Sequence, residues 1–351
     1  MNDTTIIGVD LAKNIFQVHA ENSEGKKLFN KKLSRGKFKE FLRNQKNCLI
    51  GMEACGTAHY WARHCLELGL QVKLINPRKV KAFLDGNKND EKDAEAICDA
   101  TKSQKVRGIP VKTKAQQDLT SLHRARSSVI GRRTQIGNHL RSLLAEYGLV
   151  TRGGHAALME LTRNVLGGEL MDLSQELLFV IYDLYEELNK LKKRVLEYDD
   201  QLKRVAKENK TVQRLMEMPG VGEVSATALV AKVEDFKVFK RGRNFSAWLG
   251  LTPKEYSSAG TRHMGGISKK GDRYLRTLLI HGARAVVRAV VDKKKMTTAY
   301  HRWIQMMVLR CGKNKAAVAL ANKHARMIWA IMVYDRKLDL DFSESFRKKV
   351  A

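Results

Sequence analysis

Thr5-Ile6-Ile7-Gly8-Val9-Asp10 opens the stretch that decides the fold, and Ile15-Phe16-Gln17-Val18-His19 and Lys27-Leu28-Phe29-Asn30-Lys31-Lys32 complete it. The first run is β-branched and apolar, the second is strand-like and the third alternates, with polar Glu21 to Gly25 as a turn between the last two. A helical stretch around Lys37 to Arg43 comes next, then the apolar strand Cys48-Leu49-Ile50-Gly51-Met52. A helix from His59 to Leu68 and a strand from Gln71 to Ile75, closed by Asn76-Pro77, continue the pattern.

Three strands in meander, then strand and helix in alternation, is the order expected of an RNase H-like sheet, an order shared with other α/β folds. From Ala115 the pattern turns helical. Leu122, Val129, Ile136 and Leu143 recur at heptad spacing, with His123, Arg124, Arg126, Arg132, Arg133 and Arg141 around them. Gly153-Gly154 and Gly167-Gly168 flank a segment that reads as less regular. Leu177, Ile181, Leu184, Leu188, Leu191, Val195, Tyr198, Leu202 and Val205 then step by four and three. Such heptads predict either an antiparallel hairpin within the chain or a coiled coil between chains. Met218-Pro219-Gly220-Val221-Gly222 reads as a turn between helices, either an ordinary glycine turn or one whose N–H groups hold a DNA phosphate.

Composition narrows the partner. Of 351 residues, 65 are Lys or Arg and 37 Asp or Glu, a net charge of +28. Such an excess sets up a field that attracts polyanions, nucleic acid above all, and argues against an ordinary metabolic enzyme. The length suggests two or three folded units. No uninterrupted apolar run of about 18 residues and no signal-like N-terminus appear, so a soluble cytoplasmic protein without a membrane partner is expected. Cys48, Cys55, Cys65, Cys98 and Cys311 form no CxxC pair, which points to neither a disulfide framework nor a zinc site.

Four acids stand at element ends. Asp10 ends the first strand, Glu53 ends the fourth, and Asp90 and Asp93 open a helix and share one face of it. Carboxylates meeting in this way form a hard-oxygen cluster suited to Mg²⁺ (or Mn²⁺) against a phosphodiester. The plainer reading is that Asp90 and Asp93 favour a helix N-terminus electrostatically. Farther on, Arg262, Lys269, Lys270, Arg273 and Arg276 surround the glycine-rich Gly260 to Gly266 and can hold a nucleic-acid backbone.

Taken together, Gly8-Val9-Asp10-Leu11-Ala12-Lys13, Met52-Glu53-Ala54-Cys55-Gly56, Ile75-Asn76-Pro77 and Asn89-Asp90 through Asp93-Ala94 resemble the DEDD-type insertion-sequence transposases. These are serine-using recombinases guided by a bridge RNA, with Piv-type DNA invertases as relatives. Pro219-Gly220-Val221-Gly222, Leu249-Gly250-Leu251-Thr252-Pro253, Tyr256-Ser257-Ser258 and Ile267-Ser268-Lys269-Lys270-Gly271 extend the resemblance over nearly the whole chain. It implies a RuvC-like DEDD catalytic domain over 1–105, a basic helix and coiled-coil region over 106–211, and a mostly helical C-terminal transposase domain over 212–351. The last would carry a helix-hairpin-helix-like turn and the nucleophilic serine.

The family's acids correspond to Asp10, Glu53, Asp90 and Asp93, and its serine to Ser258. Here the usual Ser-Gly pair is Ser257-Ser258-Ala259-Gly260, which keeps Ser257 as an alternative. The resemblance also implies a bacterial or archaeal, nucleoid-associated enzyme that cuts and rejoins double-stranded DNA at element ends, junction and target. It would work through a phosphoserine intermediate, as a homo-oligomer (dimer or tetramer), with a structured bridge RNA. Two other readings use the same residues: a RuvC-like metal-dependent nuclease acting on branched DNA, and a non-catalytic coiled-coil protein that bridges DNA.

Overall fold

The computed structural model describes residues 5–85, 89–168, 173–233, 235–258, 261–292 and 298–341. The chain divides between Ala115 and Gln116 into two compact units.

The first unit is an α/β layer structure. Its strands are β1 (Thr5–Asp10), β2 (Ile15–Glu21), β3 (Lys27–Ser34), β4 (Cys48–Glu53) and β5 (Gln71–Ile75). They lie in the order β3-β2-β1-β4-β5, the first three antiparallel, with β4 and β5 parallel to β1. Helices α1 (Arg35–Arg43) and α2 (Ala58–Glu67) come after β3 and β4, and a single turn, α3 (Pro77–Val80), leads toward α4 (Asp90–Lys102). The meander and the alternation expected from the sequence are both present.

Alternation assigns the two sheet faces. Ile7, Val9, Phe16, Val18, Ala20, Ile50 and Met52 are fully buried and form one core with Phe38, Leu42 and Trp61 of α1 and α2. Phe16, Phe38 and Trp61 meet pairwise at ring distances of 5.0–5.2 Å in edge-to-face geometry. Each such pair adds about 0.5–1.5 kcal/mol beyond simple area burial.

The opposite face receives α4. Gly8 and Gly51 are paired across β1 and β4. A Cβ on Gly8 would fall 2.2 Å from the Ala94 carbonyl oxygen and 2.5 Å from the Cys98 nitrogen, and one on Gly51 would fall 1.7 Å from Thr101 Oγ1. The paired glycines form a trough that lets the α4 backbone lie directly on the sheet. Asn89 caps the helix, its side chain accepting from the Glu91 N–H.

Among its described residues the second unit is helical apart from one hairpin. Its helices are α5 (Lys114–Ala145), α6 (His155–Leu166), α7 (Gln175–Glu208), α8 (Lys210–Met216), α9 (Glu223–Lys232) and α10 (Gly242–Trp248). Strands β6 (Pro253–Ser258) and β7 (Thr261–Ile267) then pair antiparallel, and α11 (Arg273–Asp292) and α12 (Ala299–Tyr334) complete it. The segment between the glycine pairs, which reads as less regular, is the helix α6; Leu158, Met159, Thr162 and Val165 give it a buried face.

The heptad residues pack within the chain. Ile181, Leu184 and Leu188 meet Leu140, Leu144 and Leu158, while Leu191 and Val195 meet Val129, and Leu202 meets Leu119. Arg126–Asp199 at 2.6 Å and Arg132–Glu187 at 3.5 Å run in the same antiparallel register. Of the two arrangements left open by the spacing, the hairpin is the one observed for this seam.

The Pro-Gly-Val-Gly turn joins α8 to α9. Gly220 has φ +78°, and a Cβ there would meet the Gly282 carbonyl oxygen at 2.5 Å, so close packing against α11 demands the glycine. Helix α12 is broken at Gly312, whose φ 78° and ψ 162° are non-helical. Among the described residues no helix is long and apolar enough to cross a membrane.

Candidate active site

Parallel pairing places the ends of β1 and β4 side by side. Val9 is opposite Met52, so Asp10 and Glu53 are the next residues along, on the face that Gly8 and Gly51 open to α4. Helix α4 enters over that trough by its N-terminal turn, which carries Asp90 and Asp93. One carboxylate oxygen from each of Asp10, Asp90 and Asp93 lies within 4.8 Å of the other two. Asp90 is exposed and the other two are half-buried, so the group opens to solvent.

Glu53 ends the adjacent strand outside that tight trio. The exposed Cys55 reports the shared field: its thiol is pushed up, first by the protein around it and then by the charges of Glu53 and, more weakly, Asp10.

Three clustered carboxylates repel one another when ionised, and a cation relieves the repulsion. The donor set is all hard oxygen, the chemistry that Mg²⁺ and Mn²⁺ take, so these residues fit such an ion. A second group with metal-like spacing, His19, Glu21 and Cys98, is fully buried. There the cation is already supplied by the chain: Lys102 Nζ lies 2.5 Å from Glu21 and 2.7 Å from Asp99. Burial alone would push the Glu21 carboxyl up, but hydrogen bonds from Lys102 and His19 outweigh it and hold the group below its usual range.

This inner network had no counterpart among the candidate residues read from the sequence. Gln17, His19 and Glu21 alternate with apolar neighbours along β2, a pattern that reads as a strand with one wet face. All three are buried. Asn30 of β3 ties them to α4, donating to His19 Nδ1 at 3.2 Å and to the Glu91 carbonyl at 3.3 Å.

The serine and basic residues belong to the second unit. Ser258 ends β6, its backbone paired with Thr261; its side chain and that of Arg262 lie outside the described residues, as do Ala259 and Gly260. The expected glycine-rich loop is largely strand β7. Ser257 Oγ donates to Glu255 Oε1 at 3.0 Å. Lys269, Lys270 and Arg273 are exposed, as are Lys237, Lys240, Arg241 and Arg243.

Arg276 corrects the sequence reading. It is only 9% exposed and its Nη1 donates to the carbonyls of Leu249 at 3.1 Å and Gly271 at 3.3 Å, so it braces the fold and does not face a nucleic-acid backbone. Gly271 and Gly250 approach so closely that a Cβ on Gly271 would lie 2.2 Å from the Trp248 carbonyl, and Arg276 fastens this contact.

A sheet with acids at its strand ends and at the mouth of a covering helix is an arrangement that could hold a divalent metal. Residues 7–149 match the IS110-type DEDD transposase family, a match that suggests an RNase H-like fold and the use of a divalent metal. Residues 212–301 match the transposase IS116/IS110/IS902 family. The chain is 44% identical to a probable family 20 transposase of Pseudomonas aeruginosa, covering 93% of this chain and 96% of that protein. It is 38% identical to the transposase for insertion sequence element IS1111A of Coxiella burnetii, over 95% and 90% of the two chains. For the transposase of IS1328 from Yersinia enterocolitica the identity is 35%, over 94% and 97%. The chain belongs to the IS110/IS116 family of insertion-sequence transposases, enzymes that cut and join DNA.

Proposed function

We propose that this transposase moves its element through a covalent phosphoserine intermediate, with Asp10, Glu53, Asp90 and Asp93 as the ligands of Mg²⁺ or Mn²⁺ and Ser258 as the nucleophile. The observation that carries the acid half is the convergence of Asp10, Asp90 and Asp93 within 4.8 Å. The serine half rests on Tyr256-Ser257-Ser258 after Thr252-Pro253. In this reading 1–105 is a RuvC-like domain, 106–211 a helical insertion and 212–351 the transposase domain.

When bound, the divalent ion offsets charge on the phosphate oxygens. The Ser258 hydroxyl attacks phosphorus and gives its proton to a carboxylate. An Oγ–P bond forms, the bond from phosphorus to one flanking deoxyribose oxygen breaks, and that oxygen leaves as a hydroxyl after taking up a proton. The phosphodiester energy is kept in the linkage for rejoining to a different strand. Lys269, Lys270 and Arg273 hold the backbone.

The bridge RNA enters this reading from the family resemblance, with target choice by base pairing; the charge of +28 supports only a polyanionic partner. Acting on element ends, junction and target calls for a homo-oligomer, dimer or tetramer. Since the heptad seam is filled from within the chain, contacts between copies would use other surfaces.

The test is a denaturing gel on labelled element-end DNA with the co-purified RNA present. Wild type should leave DNA on the protein, mapped to Ser258 by mass spectrometry; Ser258→Ala should leave none while Ser257→Ala retains the adduct. Metal-dependent cutting with no adduct in any protein would replace this reading with the hydrolytic nuclease. Unchanged recombination after exhaustive ribonuclease treatment would remove the RNA from it.

A further inference from the structure

Gln17 lies in β2 directly across from Asp10 in β1. Residues paired across a ladder project to the same face, so both lie on the side that α4 covers. Gln17 is 4% exposed, yet its Oε1 has no hydrogen-bond partner. A buried carbonyl oxygen without a donor is costly and calls for an explanation.

The orientation of that amide is fixed by its neighbours. His19 Nε2 stands 2.8 Å from Glu21 Oε1, and a carboxylate only accepts, so Nε2 carries a hydrogen. The Glu91 carbonyl can only accept, so the Asn30 amide turns its Nδ2 to it at 3.3 Å, on the side where His19 Nδ1 also lies, at 3.2 Å. Its Oδ1 is left for Gln17, which answers with Nε2. Rotating the Gln17 amide would set two oxygens face to face. Gln17 Oε1 is therefore directed out of the network with its lone pairs unused.

We propose that Gln17 Oε1 is an additional oxygen donor to the coordination shell of the cation held by Asp10, Asp90 and Asp93. The inference rests on the reading of those acids as a metal site. An amide oxygen is a hard, neutral ligand, so it adds coordination without adding to the mutual repulsion of the carboxylates. Asn30 serves as a positioning residue, since it fixes the amide of Gln17 and also holds the first turn of α4 beside it.

The test is Mn²⁺ binding to the full-length protein without DNA, followed by the electron-spin resonance signal of the free ion and by the rise in Tm that Mn²⁺ produces over EDTA. That rise is taken for each variant against its own metal-free form, which cancels any effect of the substitution on the apoprotein. Asp90→Asn should lose the saturable site. Gln17→Met, similar in volume but without the carbonyl, should weaken binding about tenfold or more and shrink the rise, whereas Gln17→Glu, which retains an oxygen at the same reach, should stay within about threefold of wild type or bind more tightly. Unchanged affinity in Gln17→Met, with Asp90→Asn inactive in binding, would overturn the role of Gln17 and leave the acid site standing. An equal loss in Gln17→Glu would also overturn it, because the oxygen would not be what matters. Wild type that binds no Mn²⁺ would overturn the acid site and this inference together.

Discussion

Arg276 and Lys270 are close in sequence and opposite in circumstance. Removing Arg276 leaves the carbonyls of Leu249 and Gly271 without their donor in a buried place, so Arg276→Ala should cost about 2 kcal/mol or more in urea unfolding. Lys270→Ala should leave stability within about 0.5 kcal/mol. It should instead lower the slope of log affinity against log salt by about one. Two histidines set the acid limit of the second unit. His123 lies between Tyr274 Oη at 3.0 Å and Thr227 Oγ1 at 3.1 Å, and burial, with Arg126 and Lys232 nearby, pushes it down to about 4. His324, 2.7 Å from Tyr300 Oη, is pushed down to about 4 by burial and by Lys323. Folded values below the unfolded value near 6.5 mean that the unfolded chain takes up protons first as pH falls. Stability should therefore drop between pH 6.5 and about 4, by roughly 3 kcal/mol for each histidine. Chemical denaturation at pH 7 and pH 4.5 measures this, and His324→Gln should flatten the dependence.

At the scale of elements, the seam of α7 is a load within one chain. Leu184 and Leu191 are 7% and 2% exposed against α5 and its neighbours. Leu184→Asp with Leu191→Asp should lower unfolding stability by about 5 kcal/mol or more. Sedimentation paired with circular dichroism checks it: dissociation of an oligomer with full helicity retained would contradict the in-chain packing. The strands and the long helices were legible in the sequence because their periodicities reflect a single buried face. The meeting of Asp10, Asp90 and Asp93 could be anticipated from the strand end and the helix start that carry them, even though acids in a first helical turn also have an electrostatic use. Helix α6 was missed because the glycine pairs on either side read as breakers and its buried face includes the polar Thr162. The buried row Gln17, His19 and Glu21 was missed because polar alternation looks the same whether the polar face meets water or a helix with polar partners. Arg276 was misread because a basic run does not reveal which of its members turns inward.

For the whole molecule the excess charge is the governing quantity. With +28 overall and Lys237, Lys240, Arg241, Arg243, Lys269, Lys270 and Arg273 exposed in the second unit, binding to DNA should be driven largely by counterion release. Between 50 and 200 mM salt the affinity for random-sequence duplex should fall by roughly a thousandfold if six or so phosphates are contacted. Fluorescence anisotropy at several ionic strengths gives the slope directly. A shallow slope would mean that most of this charge faces away from the nucleic acid.

The glycine trough under α4 has a consequence for how mutational data on this enzyme would be read. In a library of all single substitutions selected for transposition, positions 8 and 51 should be emptied as thoroughly as positions 10 and 90, because a methyl group at either glycine meets α4 at 1.7–2.2 Å. A map of intolerance drawn from such a screen would mark Gly8 and Gly51 alongside the four acids and the serine proposed for the reaction, although neither glycine takes part in the chemistry. Counting soluble protein alongside activity separates them: the aspartate variants accumulate and are inert, and the glycine variants never reach the native state in quantity.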